Sequence, residues 1–195
     1  MSSKPKLKVG FDLDGVLLYN PARMMRPVIA FLKKHRWLVK RKKKQFFVPR
    51  SKFQQWFWWL LHKSSLFVAP GYQELKKLVK EGKIEAYLIT GRFKHLEADF
   101  QRWLRKMGAD EVFKTVYLNQ QNQQPHLFKE QLIEKLDLDV FVEDNWDIVD
   151  HLQRRFSKSN QPKKIFWVSN LLDLGIKHPY KFLSFKQVIK KIKQL

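Results

Sequence analysis

The chain contains no cysteine, which excludes disulfide frameworks and thiolate metal sites. It also lacks a long apolar stretch. The longest uninterrupted run is 56–61, far short of the ~20 residues that a membrane-spanning helix requires. Met1 and the polar residues after it lead straight into a strand-like segment with no signal-peptide core, so a cytoplasmic location is expected. Acids are missing in a localised way. None occurs in 19–70, which carries thirteen Lys and Arg, and Asp173 alone faces eleven bases in 154–195. Fifteen of the eighteen acids lie in 71–153, where they outnumber the bases, and most of the remainder is Asp12 and Asp14. The resulting net charge of +21 creates a field that favours phosphorylated or polyanionic partners. A small phosphorylated substrate is therefore expected. Nucleic acid, bound through 19–70 and the C-terminal region, is a further candidate partner.

What is present is ample for folding. The 195 residues are 44% hydrophobic, enough for one core-forming domain with a modest insertion. Short apolar segments at 8–11, 85–90, 112–118, 140–142 and 165–168 read as strands. Between them, apolar residues recur at helical spacing: Leu75, Leu78 and Val79; Leu96, Phe100, Trp103, Leu104 and Met107; Leu132, Ile133 and Leu136; Ile148, Val149 and Leu152. Gly82 and Gly108 mark helix ends, and Ser184 with Gln187 resembles a capping box before a last helix. Strands alternating with amphipathic helices predict an α/β fold with a Rossmann-like parallel sheet of about five strands and helices on both faces. Segment 19–70 breaks the alternation. Two helical stretches, 21–37 and 51–62, flank the basic run 40–44 and Pro49, the second opening with a Ser51–Gln54 box. They predict a small basic, aromatic-rich helical cap inserted after the first strand, dividing the chain into a core of 1–18 and 71–195 and a cap of 19–70. The polar tract 119–124 reads as a mobile loop.

Ligands bind at the carboxyl ends of strands in such sheets, and there the chemistry-bearing residues gather. Asp12 and Asp14 close the first predicted strand, with Gly15 permitting a sharp turn. Two carboxylates so close repel, and a divalent cation such as magnesium would relieve them. A calcium loop would continue with further acids, whereas Val16-Leu17-Leu18 follows. Thr90, Gly91 and Arg92 end the second strand with a hydroxyl, a flexible backbone N–H and a cation, all suited to phosphate oxygens. Lys129 lies near the start of the helix before the fourth strand, with Lys135 as its rival. Glu143 and Asp144 end that strand as further metal carboxylates; Asp147 is a third candidate, or a charge at the next helix N-terminus. Arg23 and Arg26, near the start of the cap, are candidates for substrate contact. His126 follows Pro125 near Lys129, and the other five histidines show no ligand spacing, so no zinc site is expected.

Taken in order, Asp12-x-Asp14-Gly-Val, Ile89-Thr90-Gly-Arg, Lys129 and Val142-Glu143-Asp144 resemble the four motifs of the haloacid dehalogenase superfamily. Among its members the small deoxyribonucleotidase-like phosphatases, with a helical cap after the first motif, are most similar. The resemblance implies a magnesium-dependent phosphatase. Asp12 would form an aspartyl-phosphate, and Asp14 would act as acid and base while its backbone carbonyl binds the metal. Thr90 and Lys129 would hold the phosphoryl oxygens, and Asp144 with Glu143 would complete the metal site. The fourth motif reads Glu-Asp where those relatives more often have Asp-Asp, which leaves open which acid is the ligand. Three substrate readings stand: a nucleoside monophosphate or similar monoester, a nucleic-acid end, or no reaction and a binding module for RNA or an anionic surface.

Overall fold

The structure, a computed structural model, describes residues 6–20, 46–63, 65–159, 161–170, 173 and 175–195. Six strands form one parallel sheet: β1 (Leu7–Phe11), β4 (Ile84–Phe93), β5 (Phe113–Asn119), β6 (Val140–Glu143), β7 (Lys164–Val168) and the short β8 (Lys181–Phe182). Their order is β5-β4-β1-β6-β7-β8. The five expected strands are present. The sixth, only two residues long, carries no alternation that a sequence could reveal.

Side-chain alternation along these strands builds two cores. Val9, Phe11, Ala86, Leu88, Val140, Val142, Phe166 and Val168 face one side. There they meet α2 (Tyr72–Lys80), α3 (Glu97–Met107) and α6 (Phe185–Ile192), which contribute Leu75, Leu78, Phe100, Trp103, Val188 and Ile189. Tyr87, Ile89, Phe141, Ile165 and Trp167 face the other side, against α4 (Pro125–Lys135) and α5 (Trp146–Phe156) through Leu132, Ile133, Val149 and Leu152. Gly10 belongs to this second face. A Cβ there would lie 2.6 Å from Leu138 Cδ1 and 2.7 Å from Phe141 Cδ2, so close packing of the central strand requires glycine.

The chain runs outward from β1 through β4 to β5, then returns to β6 on the other side of β1. The connection therefore reverses beside β1, and a crevice opens there at the carboxyl ends. Strands β2 (Leu18–Tyr19) and β3 (Phe67–Val68) pair antiparallel, Leu18 with Val68 and Tyr19 with Phe67, so the chain leaves the core and returns at adjacent points. Between them lies α1 (Lys52–His62), started by a complete Ser51–Gln54 capping box. The cap stretch 21–37, the basic run 40–44 and with them Arg23 and Arg26 lie outside the described residues. No described helix is long and apolar enough to cross a membrane.

The tract 119–124 leads out of β5 into a loop, as expected, and several of its side chains are tied down. Asn119 is buried at the end of β5; its amide donates to Gln123 O (2.7 Å) and accepts from Gln123 N (2.9 Å). Asn122 and Gln124 side chains accept from the Lys94 and Phe46 amides. Asn119 thus closes the turn on itself, and Asn122 and Gln124 tie it to neighbouring segments, while Gln120 and Gln121 are exposed. Ser184 caps α6 by accepting from Gln187 N, while the Gln187 side chain reaches back to Leu183 N rather than to the cap residue.

Candidate active site

The crevice is built from the ends of three adjacent strands. Asp12 follows β1, its amide still in the ladder to Val142 O (2.9 Å). The chain then turns at once: Leu17 and Leu18 N–H both donate to Leu13 O, and Gly15 N to Leu18 O. Gly15 has φ +87°, and a Cβ on it would lie 2.1 Å from Asp144 Oδ2, so the Asp144 carboxylate rests directly against this bare backbone. Burial of Leu13, Val16, Leu17 and Leu18 anchors the turn.

Asp12, Glu143 and Asp144, all buried, offer carboxylate oxygens within 4.8 Å of one another. Lys129, reaching from α4, donates to Asp12 Oδ1 (2.8 Å) and to Glu143 Oε2 (2.6 Å). Glu143 Oε1 accepts from the amides of Asp144 (3.1 Å) and Asn145 (2.9 Å), and the Trp167 indole donates to Asp144 O (3.2 Å). Burial pushes the Asp12 carboxyl well above the usual carboxylate range; Lys129 opposes this, while Glu143, Asp144 and Asp14 add to it. Burial likewise raises Glu143 against the pull of Lys129. For Lys129, burial works toward the neutral amine, but Asp12 and Glu143 outweigh it and hold the ammonium firmly charged. Three buried acids gather around this one ammonium, an arrangement that favours a further positive charge among them. The donors are all hard oxygens. The residues thus fit a magnesium-like ion.

Asp14 belongs to a different network. Its carboxylate is gripped by the Arg92 guanidinium, Nε to Oδ2 and Nη2 to Oδ1 (both 2.7 Å). The third arm of Arg92, Nη1, reaches Asp99 Oδ2 (2.7 Å), and Arg102 pairs with Asp99 from outside. Burial opposes the Arg92 charge, and Asp14 and Asp99 more than restore it. Ser65 Oγ donates to Asp14 Oδ1 (3.2 Å), and His62 Nε2 stands 4.0 Å from Oδ2. The two acids of the first motif are therefore compensated separately, Asp12 by Lys129 and Asp14 by Arg92. The Asp14 carboxylate stays outside the three-acid cluster, and the Arg92 fork is spent on carboxylates. The spacing of the acids suggested one shared cation because it could not show which buried base each would meet.

Asp12, Asp14, Thr90, Gly91, Arg92, Lys129, Glu143 and Asp144 all line one cavity of about 130 Å³. Phe46, Phe47, Trp58 and His62 line it from the insertion. Thr90 Oγ1 accepts from Arg92 N (3.2 Å), within a stretch where β4 departs from regular pairing between Thr90 and Phe93. Lys135 is exposed at the far end of α4, and Asp147 is exposed in the first turn of α5, where its amide is capped by Asn145. His126 lies in the first turn of α4, packed on Phe46 and edge-on to His151. Sequence reasoning missed His62, Ser65 and Asp99. Asp99, seven residues beyond Arg92, carried only the signal of a first-turn acid, and the other two approach Asp14 solely because the insertion folds back.

The same architecture occurs in solved structures. A candidate β-phosphoglucomutase from Thermotoga maritima is similar at 16% identity and TM-score 0.57, over 97% of this chain and 99% of that one. CbbY from Rhodobacter sphaeroides in complex with phosphate matches at 14% and 0.55, over 94% and 96%. A HAD-superfamily hydrolase from Ehrlichia chaffeensis matches at 13% and 0.53, over 100% and 99%. The fold is that of the haloacid dehalogenase superfamily. At these identities the haloacid dehalogenase likeness is one of fold. No family model and no curated protein matches the sequence.

Proposed function

We propose that the protein is a phosphomonoester hydrolase in which Asp12 is the nucleophile. The observation that carries this reading is a buried carboxylate at a strand end, with a lysine on it, a threonine beside it and an acid cluster within one small cavity. In the first step an Asp12 oxygen bonds to phosphorus, the bond to the leaving oxygen breaks, and that oxygen takes a proton from Asp14. In the second, a water oxygen bonds to phosphorus while its proton passes to Asp14, and the Asp12–phosphorus bond breaks to release phosphate. The proton that Asp14 takes from water in one turnover is the one it gives to the leaving oxygen in the next; the Arg92 fork pairs with its carboxylate form and opens when Asp14 carries the proton. Lys129 and Thr90 balance and orient the phosphoryl oxygens. Asp12, Asp144 and Glu143, with the Asp14 backbone carbonyl, would hold magnesium, which supplies charge neutralisation at the phosphoryl group.

Phe46, Phe47 and Trp58 line the same cavity as the acids, so the part of the substrate beyond the phosphoryl group would meet them. Three aromatic side chains there favour a ring-bearing monoester, such as a nucleoside monophosphate, over a simple sugar phosphate. The nucleic-acid-end reading rests on charge alone. A panel of phosphate monoesters, assayed with and without magnesium on wild type and Asp12→Asn, tests the proposal. Magnesium-dependent phosphate release that Asp12→Asn abolishes supports it, and wild type inert across the panel refutes it.

A further inference from the structure

Helix α1 buries none of its residues although it is mostly apolar. At 100° per residue its side chains divide into two opposed faces. Trp58 and His62 lie on one and line the cavity. Phe53, Trp56, Phe57 and Leu60, spaced i, i+3, i+4 and i+7, lie on the other and are exposed by 73%, 54%, 49% and 47%. Lys52 and Lys63, both exposed, flank this stripe on one side, and Lys63 Nζ lies 3.9 Å above the Trp59 ring, its stem laid along apolar surface. A stripe this apolar, on a helix held at the protein surface, is the geometry of an interfacial helix.

We infer that the outer face of α1 docks on a lipid bilayer containing anionic phospholipid. Charge selects that occupant. The segment 19–70 has thirteen bases and no acid, so a second copy would bring like charge against like charge, whereas an anionic headgroup layer is complementary. Chemistry separates it from single-stranded nucleic acid. Base stacking needs ring faces with cations between them, but Leu60 lies within the stripe and the lysines lie at its edge. Docking would set the helix in the headgroup region while its inner edge continues to line the cavity. The inference does not depend on the reaction proposed for that cavity.

Flotation of the full chain with phosphatidylcholine vesicles, with and without phosphatidylserine, tests it. The wild type is expected to float with the phosphatidylserine vesicles, less as salt is added. A Trp56→Ser/Phe57→Ser double variant should lose about 10-fold or more in partitioning with an unchanged thermal melt, since both residues are exposed. Lys52→Gln or Lys63→Gln should each cost about five-fold at low salt. Absence of flotation, or flotation untouched by the double variant, overturns the inference. So does a dimer that the double variant dissociates, or oligonucleotide binding that it abolishes while vesicles are ignored.

Discussion

Lys129→Met is the most informative single substitution. Its side chain is 3% exposed and its ammonium carries two short ion pairs, to Asp12 and Glu143, with Asp144 beside them. Methionine keeps much of the side-chain bulk but leaves Asp12 and Glu143, both buried, without the lysine's charge. Breaking a buried pair in this way costs about 3–5 kcal/mol, which for a domain of this size lowers Tm by about 6–20 °C. The loss is pH-dependent, with a sign that follows from the shifts. Burial already raises Asp12 and Glu143 above their unfolded values, and Lys129 is what restrains them. Without it they rise further. A folded-state pKa above the unfolded one gives stability that is present at low pH and lost as pH rises through the folded value. The variant should therefore differ least from wild type below about pH 3, where both carboxyls are protonated in the folded and the unfolded state alike, and most on the alkaline side. Thermal melts across pH, followed by circular dichroism in chelator and again in excess magnesium, measure this. Magnesium should restore more Tm to the variant than it adds to wild type, because it supplies the missing positive charge. Lys135→Met, at an exposed position, is the control and should change stability by no more than ~0.5 kcal/mol. A Lys129→Met melt within about 2 °C of wild type at alkaline pH would refute the reasoning.

Arg92→Lys keeps the charge but cannot reproduce the three-way fork to Asp14 and Asp99, and should cost about 2–3 kcal/mol by denaturant titration; an unchanged midpoint would contradict the geometry. Gly15→Ala combines a positive φ, worth about 1–2 kcal/mol, with a methyl placed on the Asp144 carboxylate. Magnesium affinity by calorimetry should fall out of proportion to the change in melting temperature. His178 packs against Trp146 and Trp167 and accepts the Tyr180 amide at Nδ1 (3.1 Å), and burial holds its pKa below the usual value. Its folded state resists the proton that the unfolded state takes up, so stability is present above about pH 6.5 and lost as pH falls below it. His178→Gln should flatten that part of the stability–pH profile, and an unaltered slope would show the imidazole to be uninvolved.

Short apolar runs separated by helices of period 3.6 were enough to read the sheet, its two covered faces and the strand ends that carry Asp12, Thr90, Glu143 and Asp144, with Lys129 on a helix beside them, because both patterns are local. The capping of α1 by Ser51 and Gln54 was legible for the same reason. Strand β8 was not, since two residues carry no period and pair only because β7 is already in place. The tract 119–124 was legible as a loop, but not the bonds of Asn119, Asn122 and Gln124 within it and to Lys94 and Phe46, which the fold brings beside it.

The site divides in the same way. Local sequence determined which residues carry charge and that strand ends would collect them. Only the tertiary structure decided who neutralises whom: Arg92, read as a phosphate ligand, takes Asp14, while Lys129 takes Asp12 and Glu143. Pairing between charges 78, 117 and 14 residues apart depends on burial and on side-chain reach across the sheet, neither of which is written in spacing along the chain.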